Sequence, residues 1–196
     1  MEIEEYITQK IMAFIPIYMD MKGNCTLLYT IKGGEIALEK CTRTILNLIS
    51  KYYLVDLKEL KKYYSSLIGI KNSIPIPFNK DNIFIPVKVR KPISKNDGTL
   101  GYINLKYIEK IAEGKNCTTI YLENNHKIVS LNTFKTIKKQ VKIGHIVKKF
   151  CEEKEGIVVK ESEGSPSFYT EYNKPATKAD IALVMSEILS IKEYLT

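Results

Sequence analysis

The order of apolar and polar residues first predicts a hairpin of two strands followed by a helix. Residues 11–19 and 24–31 are apolar or alternating runs, and the turn signal at 20–23, Asp-Met-Lys-Gly, separates them. Over residues 38–52 the apolar side chains recur at helical spacing instead. The change of period therefore predicts that an amphipathic helix follows the hairpin.

A second helix and two more strands are predicted next. Asp56 and Glu59 have the spacing of a capping box, and Gly69 is a typical helix terminator, so we expect a helix between them. Residues 73–78 and 82–91 are strand-like but contain prolines, which cannot donate hydrogen bonds to a neighbouring strand. These strands are therefore expected at sheet edges or bulges.

The middle of the chain continues as sheet. Residues 92–101 predict a loop with an Asp-Gly turn, and strands are predicted at 102–111, 117–123 and 127–131, with Asn-Asn-His turning between the last two. The interpretation is an α+β fold: an antiparallel β-sheet or small barrel with packed helices and a C-terminal amphipathic helix.

Ser130 is predicted to cap a further helix, whose lysines share one face. Phe134, Ile137 and Val141 cluster on one arc of this helix. An adjacent arc carries lysines at the i, i+3, i+4, i+7 spacing: Lys135, Lys138, Lys139 and Lys142.

The last quarter of the chain predicts an appendage to the main domain. We assign residues 1–158 to the domain, 159–176 to a polar linker rich in Ser, Gly and Glu, and 177–196 to an amphipathic helix. That helix is expected to dock on the body of its own chain or on another copy, which would make a homo-oligomer.

Charge is distributed unevenly along the chain. Only two of the 30 basic residues are arginine, so the net charge of +8 partly reflects a lysine-rich composition. Residues 61–96 nevertheless hold eight bases against one acid, and residues 111–150 hold eight against two. Residues 151–196 hold five bases against nine acids, and a general drift toward lysine would not separate the signs in this way.

Several classes of function find no support in the sequence. There is no GxSxG, phosphate-binding glycine loop or HExxH motif, so we do not expect an enzyme or a cofactor. The four cysteines lack CxxC spacing, which favours free thiols over a metal site. No apolar run is long enough to span a membrane and the amino terminus is acidic, so a cytoplasmic protein without a membrane partner is expected.

The basic segments fit a polyanion. In the stretch Phe-Ile-Pro-Val-Lys-Val-Arg-Lys-Pro at 84–92, strand alternation would bury the valines and hold Lys88 and Arg90 outward. We expect Arg90 to read the groove of DNA. Phosphate contacts are expected from Lys61, Lys62, Lys88, Lys91, Lys135, Lys138, Lys139 and Lys142.

The order of three segments resembles the ComK family of competence transcription factors. They are residues 63–92, with Ile-Phe-Ile-Pro in a strand, residues 101–108, where Tyr102-Ile103 stands at the family's Trp-Ile pair, and residues 122–141, a hairpin leading into a helix. The resemblance covers about 11–150. Residues 101–137 also resemble the front half of LytTR-type DNA-binding domains.

The resemblance implies a bacterial regulator of developmental genes, of competence or sporulation type, that binds AT-rich double-stranded DNA as an oligomer. The alternative is a ComK-like regulatory module that acts on a protein partner without binding DNA directly. A titration with duplex DNA at several salt concentrations separates the two, because phosphate contacts give a log-linear loss of affinity with salt.

Overall fold

The computed structural model describes residues 3–95, 97–161 and 184, with side chains as far as residue 154 and at 184. Contacts divide the chain into two units, Met1–Lys154 and Glu155–Thr196, and the fold below is that of the first. The linker predicted at 159–176 is helical backbone at 159–161 and otherwise lies outside the described residues. The predicted C-terminal helix lies outside them too, except for residue 184.

The described residues form four α-helices and nine strands, which confirms the α+β class. The helices are α1 (Ile3–Thr8), α2 (Thr42–Tyr52), α3 (Leu57–Ile68) and α4 (Phe134–Glu161). The strands are β1 (Ile11–Met19), β2 (Gly23–Thr30), β3 (Gly34–Leu38), β4 (Ile76–Asn79), β5 (Asn82–Lys88), β6 (Leu100–Asn104), β7 (Ile108–Glu113), β8 (Thr118–Leu122) and β9 (Lys127–Ser130).

Two antiparallel sheets are present among the described residues. Six strands pair in the order β3-β2-β1-β6-β5-β4, and three form the meander β7-β8-β9. Both are open sheets, so the sheet alternative is confirmed and the barrel is not. The predicted hairpin is β1 paired with β2, from Ile11 opposite Thr30 to Met19 opposite Gly23.

The six-stranded sheet is covered on both faces, which gives the unit three layers. One face, here called the first face, presents Ile83, Ile85 and Val87 to buried residues of α4 and of the three-stranded sheet. The second face presents Phe14 and Phe84 to buried residues of α1 and α2. Because successive strand residues alternate between faces, β5 reads as a continuous buried run from Ile83 to Val87.

Helix α3 crosses from one layer to the other. Its first residue, Leu57, packs with the second-face cluster, whereas Tyr64 is buried in the first-face cluster. The Asp56 carboxylate caps the helix by accepting hydrogen bonds from the amides of Lys58 at 2.7 Å and Glu59 at 3.0 Å. Gly69 ends it with φ 66°, the left-handed conformation that glycine adopts without strain. Both predicted ends are confirmed.

The structure corrects three local predictions. Helical spacing predicts a helix from residue 38, but Leu38 ends β3 and pairs with Thr26, so α2 begins only at Thr42. Residues 102–111 are not one strand: the Asn104 side chain accepts from the Lys106 amide at 3.1 Å and starts a 3₁₀ turn that moves the chain into the second sheet. The third correction concerns the start of α4.

Helix α4 is capped by Thr133 and not by Ser130. Ser130 is a buried residue of β9. The Thr133 hydroxyl accepts a hydrogen bond from the Thr136 amide at 3.3 Å, as a capping threonine does. The apolar arc predicted for this helix is partly confirmed, because Ile137 and Val141 are buried in the core while Phe134 is half-buried.

Candidate nucleic-acid interface

The four lysines predicted to share one helical face lie in the first two and a half turns of α4, and we call them the lysine face: Lys135, Lys138, Lys139 and Lys142. Burial of Ile137 and Val141 in the core fixes the rotation of the helix about its axis. Lys135, Lys139 and Lys142 are exposed, and the Lys138 ammonium lies 4.9 Å from the centroid of the Phe134 ring. The lysine face therefore points its charges at solvent from a rigid element.

No acidic residue occurs in the sequence from 127 to 151, which includes the lysine face. Within the part of the chain that the structure describes, none of its four lysines pairs with a carboxylate. Four like charges on one helical face repel one another by a few tenths of a kcal/mol per neighbouring pair. A bound polyanion would relieve that repulsion.

Lys88 lies at the end of β5, where its backbone connects the strand to the segment before α4. Its amide donates to the Asn132 side-chain oxygen at 2.7 Å, and its carbonyl accepts from the Leu131 amide at 2.7 Å. This part of β5 extends beyond its pairing with β4, so residues 131–132 cover what would otherwise be an open strand edge. The exposed Lys88 side chain lies on the second face of the sheet, opposite Leu100 of β6.

Arg90 is partly buried, and its guanidinium is bound within the protein. It lies 3.9 Å from the centroid of the Tyr18 ring, and its Nε donates to the Gly98 carbonyl at 2.8 Å. Nη2 donates to the Asn24 side-chain oxygen, and Nη1 is buried without a hydrogen-bond partner among the described residues. Strand alternation predicts an outward Arg90 that reads DNA, but in the structure its guanidinium meets a ring, a carbonyl and an amide oxygen.

Lys91 opens an exposed loop that Asp97 organises. The Asp97 carboxylate accepts from the Tyr18 hydroxyl and from the amides of Ile93 at 3.1 Å and Ser94 at 2.7 Å. These bonds, that of Tyr18 above all, hold the pKa of Asp97 below its usual range. The Lys91 side chain is exposed at the start of this loop.

Lys61 and Lys62 of α3 point in different directions. The exposed Lys62 lies 3.7 Å from the Glu59 carboxylate, an ion pair within the helix. Lys61 is half-buried; burial lowers its pKa, and the nearby Arg43 of α2 lowers it further. Tyr64 is buried and Tyr63 is 51% exposed, so one ring of this adjacent pair packs in the core.

The predicted contact residues therefore belong to two layers. The lysine face is on the helix that covers the first face of the six-stranded sheet, whereas Lys88 is on the second face and Lys61 lies beside α2. The structure does not gather them into one continuous surface. The phosphate contacts predicted from the sequence do not include Arg43, which lies near Lys61. The helical pattern of α2 already places Arg43 on its polar side.

Comparison with known proteins adds no family. The sequence matches no protein-family model, and the search of curated proteins found no match. Among the described residues, no helix is both long enough and apolar enough to cross a membrane. In the same part of the chain, no group of three or more histidines, cysteines and acidic residues is placed to hold a metal ion.

Proposed function

We propose that this chain binds double-stranded DNA and acts in the control of bacterial transcription. The observation that carries the proposal is the lysine face: four lysines on one side of a core-anchored helix, none paired with a described carboxylate. Lysine acts as a flexible point charge, which suits contact with backbone phosphates better than recognition of base edges. The lysine face would therefore set affinity and leave sequence preference to other residues.

The preference for AT-rich DNA and the role in developmental genes rest on the resemblance to the ComK family. Arginine is the usual reader of a narrow minor groove. Arg90 would have to leave Asn24 and the Gly98 carbonyl to enter one. Lys88 and Lys91 are both exposed and are free of that requirement, and any contact that they add would steepen the salt slope beyond that of the lysine face alone.

The salt dependence of binding tests the proposal directly. Four phosphate contacts on duplex DNA should give a slope of about −3.6 in a plot of log affinity against log salt concentration. That slope corresponds to a roughly 150-fold loss of affinity between 50 and 200 mM salt. Absence of binding at about 50 mM salt would favour the alternative, a regulatory module that acts on a protein partner.

Charge reversal then locates the contacts. Lys135→Glu combined with Lys139→Glu should weaken binding to AT-rich and GC-rich duplexes equally and flatten the slope by about two units. Lys32→Glu with Lys40→Glu is the matched control. Both lysines are exposed and flank β3, an edge strand of the six-stranded sheet, and the change in net charge is the same. Equal losses in the two variants would show a response to net charge alone and would contradict the assignment.

A further inference from the structure

A basic groove lies between α2, α3 and the chain entering β6, apart from the lysine face. Its volume is about 660 Å³. Three cations of the two helices line it, Arg43, Lys58 and Lys61, together with the apolar side chains of Leu46 and Leu57 and the ring of Tyr102. We call it the α2–α3 groove.

Within the described part of the chain, no ion pair neutralises the cations of the α2–α3 groove. Among the described residues, neither Arg43 nor Lys61 forms an ion pair. Asp97 is the one acidic residue among the described residues that line the groove, and its carboxylate already accepts hydrogen bonds from Tyr18, Ile93 and Ser94. Lys61 is half-buried beside Arg43. Burial, and then the charge of Arg43, disfavour the charged form of Lys61 and lower its pKa.

The helix that borders the groove adds to its preference for anions. The first two residues of α2, Thr42 and Arg43, line the groove, and no side chain caps this helix. The start of an α-helix carries a partial positive charge from its unpaired amides. The partial charge of the helix and the cationic side chains therefore act on the same space.

We propose that the α2–α3 groove binds the phosphate of a ligand that also has an aromatic or apolar part. Arg43 offers a planar fork of donors that fits phosphate oxygens, and Lys61 adds a second cation from the opposite wall. Tyr102, Leu46 and Leu57 would contact the remainder of the ligand. A nucleotide has this chemistry, whether free or as part of a nucleic acid.

Nucleotide binding by the full chain tests the groove. Isothermal titration with ATP, pyrophosphate and adenosine should show binding of the first two, tighter for ATP, and little for adenosine. Arg43→Gln and Lys61→Gln should each weaken ATP binding about 10-fold or more, since a hydrogen bond to a charged group is at stake. Lys62→Gln is the matched control: this neighbouring lysine of α3 pairs with Glu59 and does not line the groove.

The same variants identify the source of the phosphate. If the ligand is a free nucleotide, Arg43→Gln lowers ATP affinity and leaves duplex DNA affinity unchanged. If the phosphate belongs to DNA, Arg43→Gln lowers both, whereas reversal of Lys135 and Lys139 lowers only duplex binding. Melting temperatures measured without ligand identify any variant that has lost its fold.

Two results would overturn the inference. One is an equal loss of ATP affinity in Lys62→Gln and Arg43→Gln, which would mean that the anion responds to overall charge. The other is that neither Arg43→Gln nor Lys61→Gln changes the binding of ATP, pyrophosphate or duplex DNA, whether or not these ligands bind. Neither result bears on the lysine face, so the proposal of DNA binding would still rest on its own salt and charge-reversal tests.

Discussion

Replacement of Arg90 by lysine separates two roles for this residue, an internal anchor and a reader of DNA. In the structure its guanidinium joins three parts of the fold: the ring of Tyr18 in β1, the side chain of Asn24 in β2 and the carbonyl of Gly98 in the loop before β6. Arg90→Lys keeps the charge and removes the planar group that makes these contacts together. An anchor should therefore lose stability on this change.

The size of the loss follows from the contacts. A lysine can retain one of the two hydrogen bonds, so one bond from a charged group is lost, about 1.5–3 kcal/mol. Weaker contact with the Tyr18 ring costs about 0.5–1 kcal/mol more. Removing the buried, unpaired Nη1 returns roughly 1 kcal/mol. We expect a net loss of about 2 kcal/mol, or a fall in melting temperature of about 4–8 °C for a domain of this size.

Thermal unfolding and DNA binding should be measured on the same samples. Lys95→Gln is the control, because it removes a charge from an exposed position of the same loop and should leave the melting temperature unchanged. For Arg90→Lys we expect the lower melting temperature with an unaltered ratio of AT-rich to GC-rich affinity. An unchanged melting temperature together with a selective loss of AT-rich binding would refute the anchor and make Arg90 the groove reader.

Two further predictions concern stability. An alanine at Gly101 would place its Cβ 2.7 Å from Cγ2 of Ile15, so Gly101→Ala should lower the free energy of unfolding by about 1–3 kcal/mol. In denaturant titrations, adding Ile15→Ala in a double-mutant cycle should recover part of that loss. Burial, and then Glu35, raise the pKa of Tyr29 from 10.0 to about 12, so its contribution to stability is complete below pH 10 and is lost as the pH rises toward 12. Over that range the free energy of unfolding of the wild type should fall by about 2–3 kcal/mol more than that of Tyr29→Phe. Equal falls in the two proteins would contradict the raised pKa.

Local features of the fold were predictable because their causes are local. Asp56 and Gly69 bound α3 as expected, since a cap and a left-handed glycine act within a few residues. The Asn-Asn turn between β8 and β9 also follows from residue type, with φ near 60° at Asn124 and Asn125. These signals needed no knowledge of the rest of the chain.

Errors occurred where tertiary contacts overrode a local pattern. Leu38 fits the helical spacing of α2, but Gly34 to Leu38 pairs with β2 and is held there as an edge strand. Tyr102 to Ile111 reads as one strand, yet the Asn104 side chain ends β6 and the chain enters the second sheet. Neither the partner strand nor the second sheet is visible in the segment itself.

Arg90 shows how far the alternation of a strand can be used to place a charge. The pattern correctly put Val87 in the core and Lys88 outside it. The pattern does not show which residues surround Arg90, because that depends on the path of β1 and β2 in the same sheet. Tyr18 and Asn24 come from that hairpin and meet the guanidinium there. Strand alternation therefore predicts the direction of a side chain from its own strand. Whether that side chain can reach DNA depends also on the neighbouring elements, here β1 and β2.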